Sequence, residues 1–162
     1  MLINILITMF GLFLVIAFES FFVTLISFSI MIPVVFMLMD KMEWKKWLVL
    51  TSVCTFLIDI LLHRSVGITL LSVSVSSSVL YLLFLIVPKK QLIVSYIPYF
   101  FSILIFYILL DLLSPLVQDS VWGTLTWIGL LGDALRSVVA TVLVSIVNTV
   151  ISNFRSKDQF SL

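Results

Sequence analysis

The chain has 162 residues, of which 62% are hydrophobic and only 10% are charged, and its formal net charge is +1. Soluble domains carry roughly 25% charged residues, so this composition excludes a water-soluble globule and predicts a single integral membrane domain over residues 1–162. The near-neutral charge and the lack of a basic patch argue against a nucleic-acid partner. Cys54 is the single cysteine, which rules out an intramolecular disulfide and predicts a packing role.

Six hydrophobic stretches are candidates for crossing a bilayer, which takes about 20 mostly apolar residues in a helix. In chain order they are Leu2–Phe18, Phe21–Met39, Trp47–Leu62, Gly67–Val87, Gln91–Pro115 and Asp133–Asn153. The first is predicted to be a retained span, because no Lys or Arg precedes it and no signal-peptidase site follows. Glu19 and Ser20 separate the first two spans, and Pro33 favours a later start of the second helix. The predicted fold is therefore an all-α transmembrane helix bundle.

The stretch Val117–Gly132 is less apolar than its neighbours and is too long for a simple turn. It contains Trp122 and Trp127, and tryptophan favours the membrane–water interface. We predict a short helix lying in the membrane surface at residues 117–132. The alternative is that this stretch lengthens the sixth helix.

Lysine and arginine residues are unevenly distributed between the two sides of a bundle with six crossings. Seven of the nine fall on one side, namely Lys41, Lys45, Lys46, Lys89, Lys90, Arg155 and Lys157. Arg64 and Arg136 fall on the other side. Because positively charged loops stay in the cytoplasm, both termini are predicted to be cytoplasmic.

Asp59 is the leading polar candidate, because an ionisable side chain inside a spanning helix is costly and often functional. It lies near the outer end of the third span, four residues before His63 and five before Arg64. His63 shares its helix face and Arg64 can reach back, so we favour a local pair that ties the helix to the next loop. A proton or cation site in the bundle interior and a partner-binding role are the alternatives.

Further polar residues are expected to be structural. Asp111 lies near the outer end of the fifth span, where the cost of a charge falls. Asp133 is a suitable N-cap for the sixth helix. The fourth span carries a row of serines, which are Ser72, Ser74, Ser76, Ser77 and Ser78. Small residues allow close contact between membrane helices, so this row is a candidate docking face.

Enzyme classes with recognisable motifs find little support in the chain. One histidine gives no His-rich metal site, and no G-x-S-x-G serine motif is present. Gly129–Asp133 has one residue too many for the G-x-G-D pattern of intramembrane aspartyl proteases, and the N-x-x-D-R motif of lipoprotein signal peptidases is absent. We therefore predict a protein without enzymatic activity and without a cofactor or catalytic metal.

The stretch Leu57–Ser72 resembles the signature of MreD, the rod shape-determining membrane protein family. That family shows an apolar helix ending in L-x-D-L-L, a few loop residues, then a small-Leu-Gly-Leu pattern and a helix rich in Leu and Ser. Asp59 matches the Asp of the pattern and Gly67 matches its Gly. Pro33, ahead of a lysine-containing loop, matches a Pro of the family. Glycine also suits a tight turn between the third and fourth spans.

The resemblance implies a non-enzymatic scaffold of the cell-elongation machinery in a bacterial inner membrane. Its expected partners are an MreC-like single-pass protein, the MreB filament system and membrane lipids. The alternative is a substrate-binding S-component of an energy-coupling-factor vitamin transporter, a class with a similar size and about six helices. Its outer pocket would be lined by Asp59, Arg64, Asp111, Trp122 and Trp127.

Overall fold

A computed structural model of the chain describes residues 18–23, 28–39, 41–62, 64–87, 94–119 and 123–159. These residues are almost entirely helical, with no strand among them. The helices are α1 (described over residues 18–23), α2 (Met31–Met39), α3 (Trp44–Leu61), α4 (Ile68–Ile86), α5 (Ile97–Asp119, preceded by a 3₁₀ turn at Val94–Tyr96) and α6 (Trp127–Gln159). The predicted all-α helix bundle is confirmed.

Three of these helices are long and apolar enough to cross a membrane. They contain the stretches Ile68–Ile86, Ile97–Pro115 and Trp127–Val150, with mean hydropathies of 1.9 to 2.0. The chain is therefore a membrane protein. Helix α3 has 18 residues but carries two lysines and Asp59, α2 has only nine residues, and most of the first predicted span lies outside the described residues.

Helices α3 to α6 pack on one another in chain order, and α2 lies among them, packed mainly on α3 and α6. The turn between α3 and α4 contains Gly67, and we call this side of the bundle the glycine end. The turn between α2 and α3 contains Lys41 and marks the opposite side, the lysine end. Lys41 Nζ donates a 2.8 Å hydrogen bond to Asn148 Oδ1 of α6. This bond brings the C-terminal half of α6 to the lysine end.

The apolar core surrounds α2. Ile32 and Phe36 of α2 are fully buried, as are Trp47 of α3 and Phe106 of α5. The Trp47 indole N–H donates a 2.8 Å hydrogen bond to the backbone carbonyl of Val35, which satisfies its polar atom inside the core. Many large apolar side chains on the outer faces of α3, α4 and α6 are exposed, as expected for helices that face lipid.

The predicted boundary between the first two spans is wrong. Glu19 and Ser20 lie within helical residues, and α2 begins at Met31 rather than near Phe21. The acidic side chain needs no loop here, because its carboxylate accepts hydrogen bonds from the start of α2. Pro33 lies in the first turn of α2, where the missing N–H costs little.

The position of residues 117–132 in the membrane surface stays a prediction, but the described part of this stretch is not a separate helix. Helix α5 continues to Asp119 and α6 already begins at Trp127, as in the alternative of a longer sixth helix. The N-cap prediction for Asp133 fails for the same reason, since Asp133 lies inside α6. Thr126 provides the cap instead, because its hydroxyl accepts a 3.1 Å hydrogen bond from the Gly129 N–H.

Candidate functional site: a buried polar cluster at the glycine end

The turn between α3 and α4 joins the two residues that define the sequence motif. Gly67 has φ of 99°, a left-handed conformation that glycine adopts without steric cost. Its N–H donates a 2.7 Å hydrogen bond to Asp59 Oδ2, and the Asp59 side chain is fully buried. The Arg64 N–H also donates to the backbone carbonyl of Asp59, at 2.9 Å. Asp59 thus ties the end of α3 to the start of α4.

This contact refines the expected local pairing of Asp59. The partner of its carboxylate is a backbone N–H at the end of the turn, whereas sequence reasoning favoured the side chains of His63 or Arg64. His63 lies outside the described residues. Arg64 is half-buried and lies close enough to Asp59 and Asp111 for electrostatic interaction. Burial lowers the pKa of the Arg64 guanidinium from its ordinary value, while the two carboxylates oppose that shift.

Glu19 caps the N-terminus of α2. Its Oε2 accepts hydrogen bonds from the Ile30 N–H at 2.9 Å and the Met31 N–H at 3.1 Å. The Ser29 hydroxyl donates to Oε1 of the same carboxylate and accepts a 3.3 Å hydrogen bond from the Ile32 N–H. A helix N-terminus leaves backbone N–H groups without partners and carries a partial positive charge. A buried carboxylate at this position accepts hydrogen bonds from the unpaired N–H groups and offsets the partial positive charge.

Tyr107 connects this cap to α6. Its hydroxyl accepts a long, 3.4 Å hydrogen bond from the Ser29 N–H. The Arg136 guanidinium carbon lies 5.8 Å from the centre of the Tyr107 ring, within the range of a cation–π interaction. Arg136 also forms a 2.9 Å ion pair with Asp133, whose side chain is only 1% exposed. Helices α5 and α6 are therefore linked through charged and aromatic side chains.

Together these residues form one polar cluster. We define it as Glu19, Asp59, Arg64, Tyr107, Asp111, Asp133 and Arg136. Its carboxyls outnumber its guanidinium groups, and it connects α1, α3, α5 and α6 with the start of α2. A cavity of about 20 Å³ lies beside Arg64 and Tyr107, enough for about one water molecule. No group of three His, Cys, Asp or Glu side chains among the described residues is arranged to hold a metal ion.

Asp111 lies at the edge of the cluster. It is exposed, and it interacts electrostatically with both Arg64 and Asp133. Its backbone carbonyl lies directly against Gly123, where an added Cβ would collide with the carbonyl oxygen. The Gly123 N–H donates to the neighbouring Leu112 carbonyl at 3.3 Å. The linker before α6 is thus held against α5 by backbone contacts.

The serine row of α4 mainly faces inward, contrary to the predicted docking face. Ser72, Ser76 and Ser77 are at most 1% exposed, and α4 packs extensively on α5. Ser74 and Ser78 are exposed, and each hydroxyl donates to the carbonyl four residues earlier. Ser72 therefore supports packing within the bundle and is not available to a partner.

Sequence reasoning missed several residues of the cluster. Glu19 was treated as part of a loop, although an acid within a long apolar stretch is itself a signal for an intramembrane polar site. Ser29 and Gly123 carry no signal in the sequence. The partners of these residues lie far away in the sequence, so their pairing depends on how the helices pack.

Comparisons with known proteins give no relative from which a function can be inferred. The chain matches no protein-family model, no curated protein and no solved structure at a significant level. The structural features from which a function can be inferred are the Asp59–Gly67 turn, the polar cluster and the exposed apolar faces of the helices.

Proposed function

We propose that this protein is a non-enzymatic scaffold of the bacterial cell-elongation machinery, similar in role to MreD. It acts in the inner membrane with both termini in the cytoplasm. The observation that carries the proposal is the 2.7 Å hydrogen bond between the Gly67 N–H and Asp59 Oδ2. These are the two residues on which the resemblance to the MreD signature depends. Their spacing therefore has a physical basis, because the carboxylate closes the turn that the glycine permits.

The distribution of polar and apolar groups supports a binding role within the membrane. Glu19 and Asp59 accept hydrogen bonds from backbone N–H groups of the bundle, and Asp133 forms an ion pair with Arg136. The outer faces of α3, α4 and α6 expose large apolar side chains. Lateral contact with another membrane protein, such as an MreC-like single-pass partner, uses surfaces of this kind. Van der Waals packing drives such helix association in lipid.

The vitamin-transporter alternative finds less support at the glycine end. The cavity beside Arg64 and Tyr107 measures about 20 Å³, whereas small-molecule sites usually measure roughly 300–1,000 Å³. Asp59, one of the residues expected to line such a pocket, is buried and accepts the Gly67 N–H. Trp127, another of them, is 84% exposed. Trp122 lies outside the described residues.

Depletion in the native host tests the proposal. Rod-shaped cells are expected to become round or wide as the protein is lost, because lateral wall synthesis loses its scaffold. A pull-down from mild detergent is expected to recover an MreC-like single-pass protein. Cells of normal shape after depletion, with an ATP-binding-cassette module in the pull-down, would identify a transporter subunit instead.

A matched pair of glycine variants tests whether the motif turn matters for that function. An added Cβ meets nothing within 4 Å at either Gly67 or Gly132, so steric space is equal. Gly67 alone of the two has a left-handed φ, which costs a residue with a Cβ roughly 1–2 kcal/mol. Gly67→Ala should restore rod shape less well than Gly132→Ala in depleted cells. Full restoration by Gly67→Ala at normal protein level would argue against a role of the turn.

A further inference from the structure

A large apolar groove lies at the lysine end, far from the polar cluster. It measures about 700 Å³ and is bounded by the α2–α3 turn and the C-terminal half of α4. Its lining includes Met42, Trp44, Ser78, Tyr81 and Leu85. More than half of the Trp44, Tyr81 and Leu85 side chains is exposed. The groove is therefore open at the surface of the bundle, and α3 and α4 do not fill it.

The groove follows α4 in the direction that a lipid acyl chain takes. It follows α4 from Ser77 to Leu85, about 12 Å at 1.5 Å per residue. A flexible acyl chain is narrow enough to lie in the groove along that length. The direction along α4 is also the direction of an acyl chain in a bilayer.

Three exposed lysines are neighbours in the sequence of residues that line the groove. Lys41 immediately precedes the lining residue Met42, and Lys45 and Lys46 directly follow the lining residue Trp44. Lys46 forms an ion pair with Glu43, at 3.1 Å between two well-exposed side chains. An exposed pair of this kind contributes little, so Lys46 can exchange this carboxylate for a phosphate. Clusters of lysines beside a membrane helix attract anionic lipid headgroups.

We propose that this groove is a binding site for one anionic phospholipid. An acyl chain lies along α4 between Ser78 and Leu85, and the phosphate of the headgroup is held by Lys45 and Lys46. Trp44 stacks on Trp47, with ring centres 5.1 Å apart, and tryptophan favours the headgroup level. This arrangement places the apolar groove below the headgroup and the lysines beside it.

Native mass spectrometry of the full chain in detergent tests the site, with dioleoyl phosphatidylglycerol and dioleoyl phosphatidylcholine as probes. Phosphatidylglycerol is expected to bind more tightly. Removal of a lysine, in Lys45→Gln or Lys46→Gln, should weaken its binding about fivefold. Glu43→Gln should strengthen it, because the competing carboxylate is lost. Equal affinity for the two lipids, unchanged in these variants, would overturn the proposal.

A matched pair of serine variants tests the position of the acyl chain. Ser78→Trp fills the groove and should weaken phosphatidylglycerol binding about tenfold, since displacing even two buried methylenes has that effect. Ser74 lies one turn away, is also exposed and does not line the groove, so the Ser74→Trp variant should bind phosphatidylglycerol as the wild type does. Equal phosphatidylglycerol affinities of the Ser78→Trp and Ser74→Trp variants would contradict the placement of the acyl chain in the groove.

Photo-crosslinking of the unmodified chain removes any dependence on folding of the variants. Phosphatidylglycerol with a photoreactive group in its acyl chain should label Tyr81 and Leu85 in preference to Leu135. The Leu135 side chain is 67% exposed on α6 and lies outside the groove. Equal labelling of the two helices, or a partner helix crosslinked into the groove in its place, would refute lipid as the occupant.

Discussion

Replacement of Asp59 tests the hydrogen bond that closes the turn between α3 and α4. In Asp59→Leu the Gly67 N–H loses the acceptor that lies 2.7 Å away in the wild type. A donor left without a partner costs roughly 1–3 kcal/mol where it is buried, and Gly67 is half-buried beside the fully buried Asp59. The unfolding constant should therefore rise roughly 5- to 150-fold.

Asp59→Asn is the matched variant, because its side-chain oxygen can still accept the Gly67 N–H. A bond to a neutral acceptor contributes about 1 kcal/mol less than a bond to a charged one. The expected loss for Asn is therefore about 1 kcal/mol, at the lower end of the range expected for Leu. Glu43→Leu serves as a control at an exposed acid and should change stability by no more than about 0.5 kcal/mol.

The measurement is reversible unfolding of the purified chain by SDS in mixed micelles, followed through the fluorescence of its four tryptophans. The order of stability should be wild type, then Asp59→Asn, then Asp59→Leu. An Asp59→Leu protein as stable as wild type would refute the role of the hydrogen bond. If both variants are stable and abundant but fail to support function, the charge of Asp59 serves an activity and not the fold.

Three further predictions concern the same bundle. Glu19→Leu should destabilise the protein at least as much as Asp59→Leu in the SDS assay, because both the Ile30 and Met31 N–H groups lose their acceptor. Glu19→Gln should lose less stability, and equal losses of stability in the Leu and Gln variants would contradict the capping role. Gly123→Ala should destabilise more than Gly129→Ala in that assay. The Cβ at residue 123 would collide with the Asp111 backbone carbonyl, whereas that at residue 129 meets only the Thr126 hydroxyl at 3.1 Å, a contact that a small shift of this side chain relieves. Reporter fusions after Ser65 and Asp119 should report outside, and fusions after Lys90 and Leu162 inside; an outside report at Leu162 would contradict the even number of crossings.

The local sequence was sufficient to predict the long helices and the motif turn. The predicted span Gly67–Val87 corresponds closely to α4, and most of the predicted span Gln91–Pro115 lies in α5. These assignments succeed because a long apolar run satisfies its backbone hydrogen bonds within itself only as a helix. Gly67 and Asp59 are eight residues apart, so their contact across a short turn was within the reach of sequence reasoning.

Tertiary structure alone decided which polar groups meet. Glu19 lies ten residues before Ser29 and 88 before Tyr107 in the sequence, yet Ser29 donates a hydrogen bond to each of them and so joins them. The boundary prediction at Glu19 failed because a charged residue in a membrane protein can satisfy its carboxylate at a distant helix N-terminus. Nothing in the local pattern identifies that helix.

The inward or outward direction of each helix face was likewise decided by packing. Ser72 is buried against the bundle, whereas Ser74 of the same row is exposed. In a soluble protein the hydrophobic pattern would distinguish the two faces. In a membrane the lipid is as apolar as the protein core, so composition establishes that α4 is a spanning helix and leaves its buried face undetermined. The close packing of α4 on α5 makes that choice.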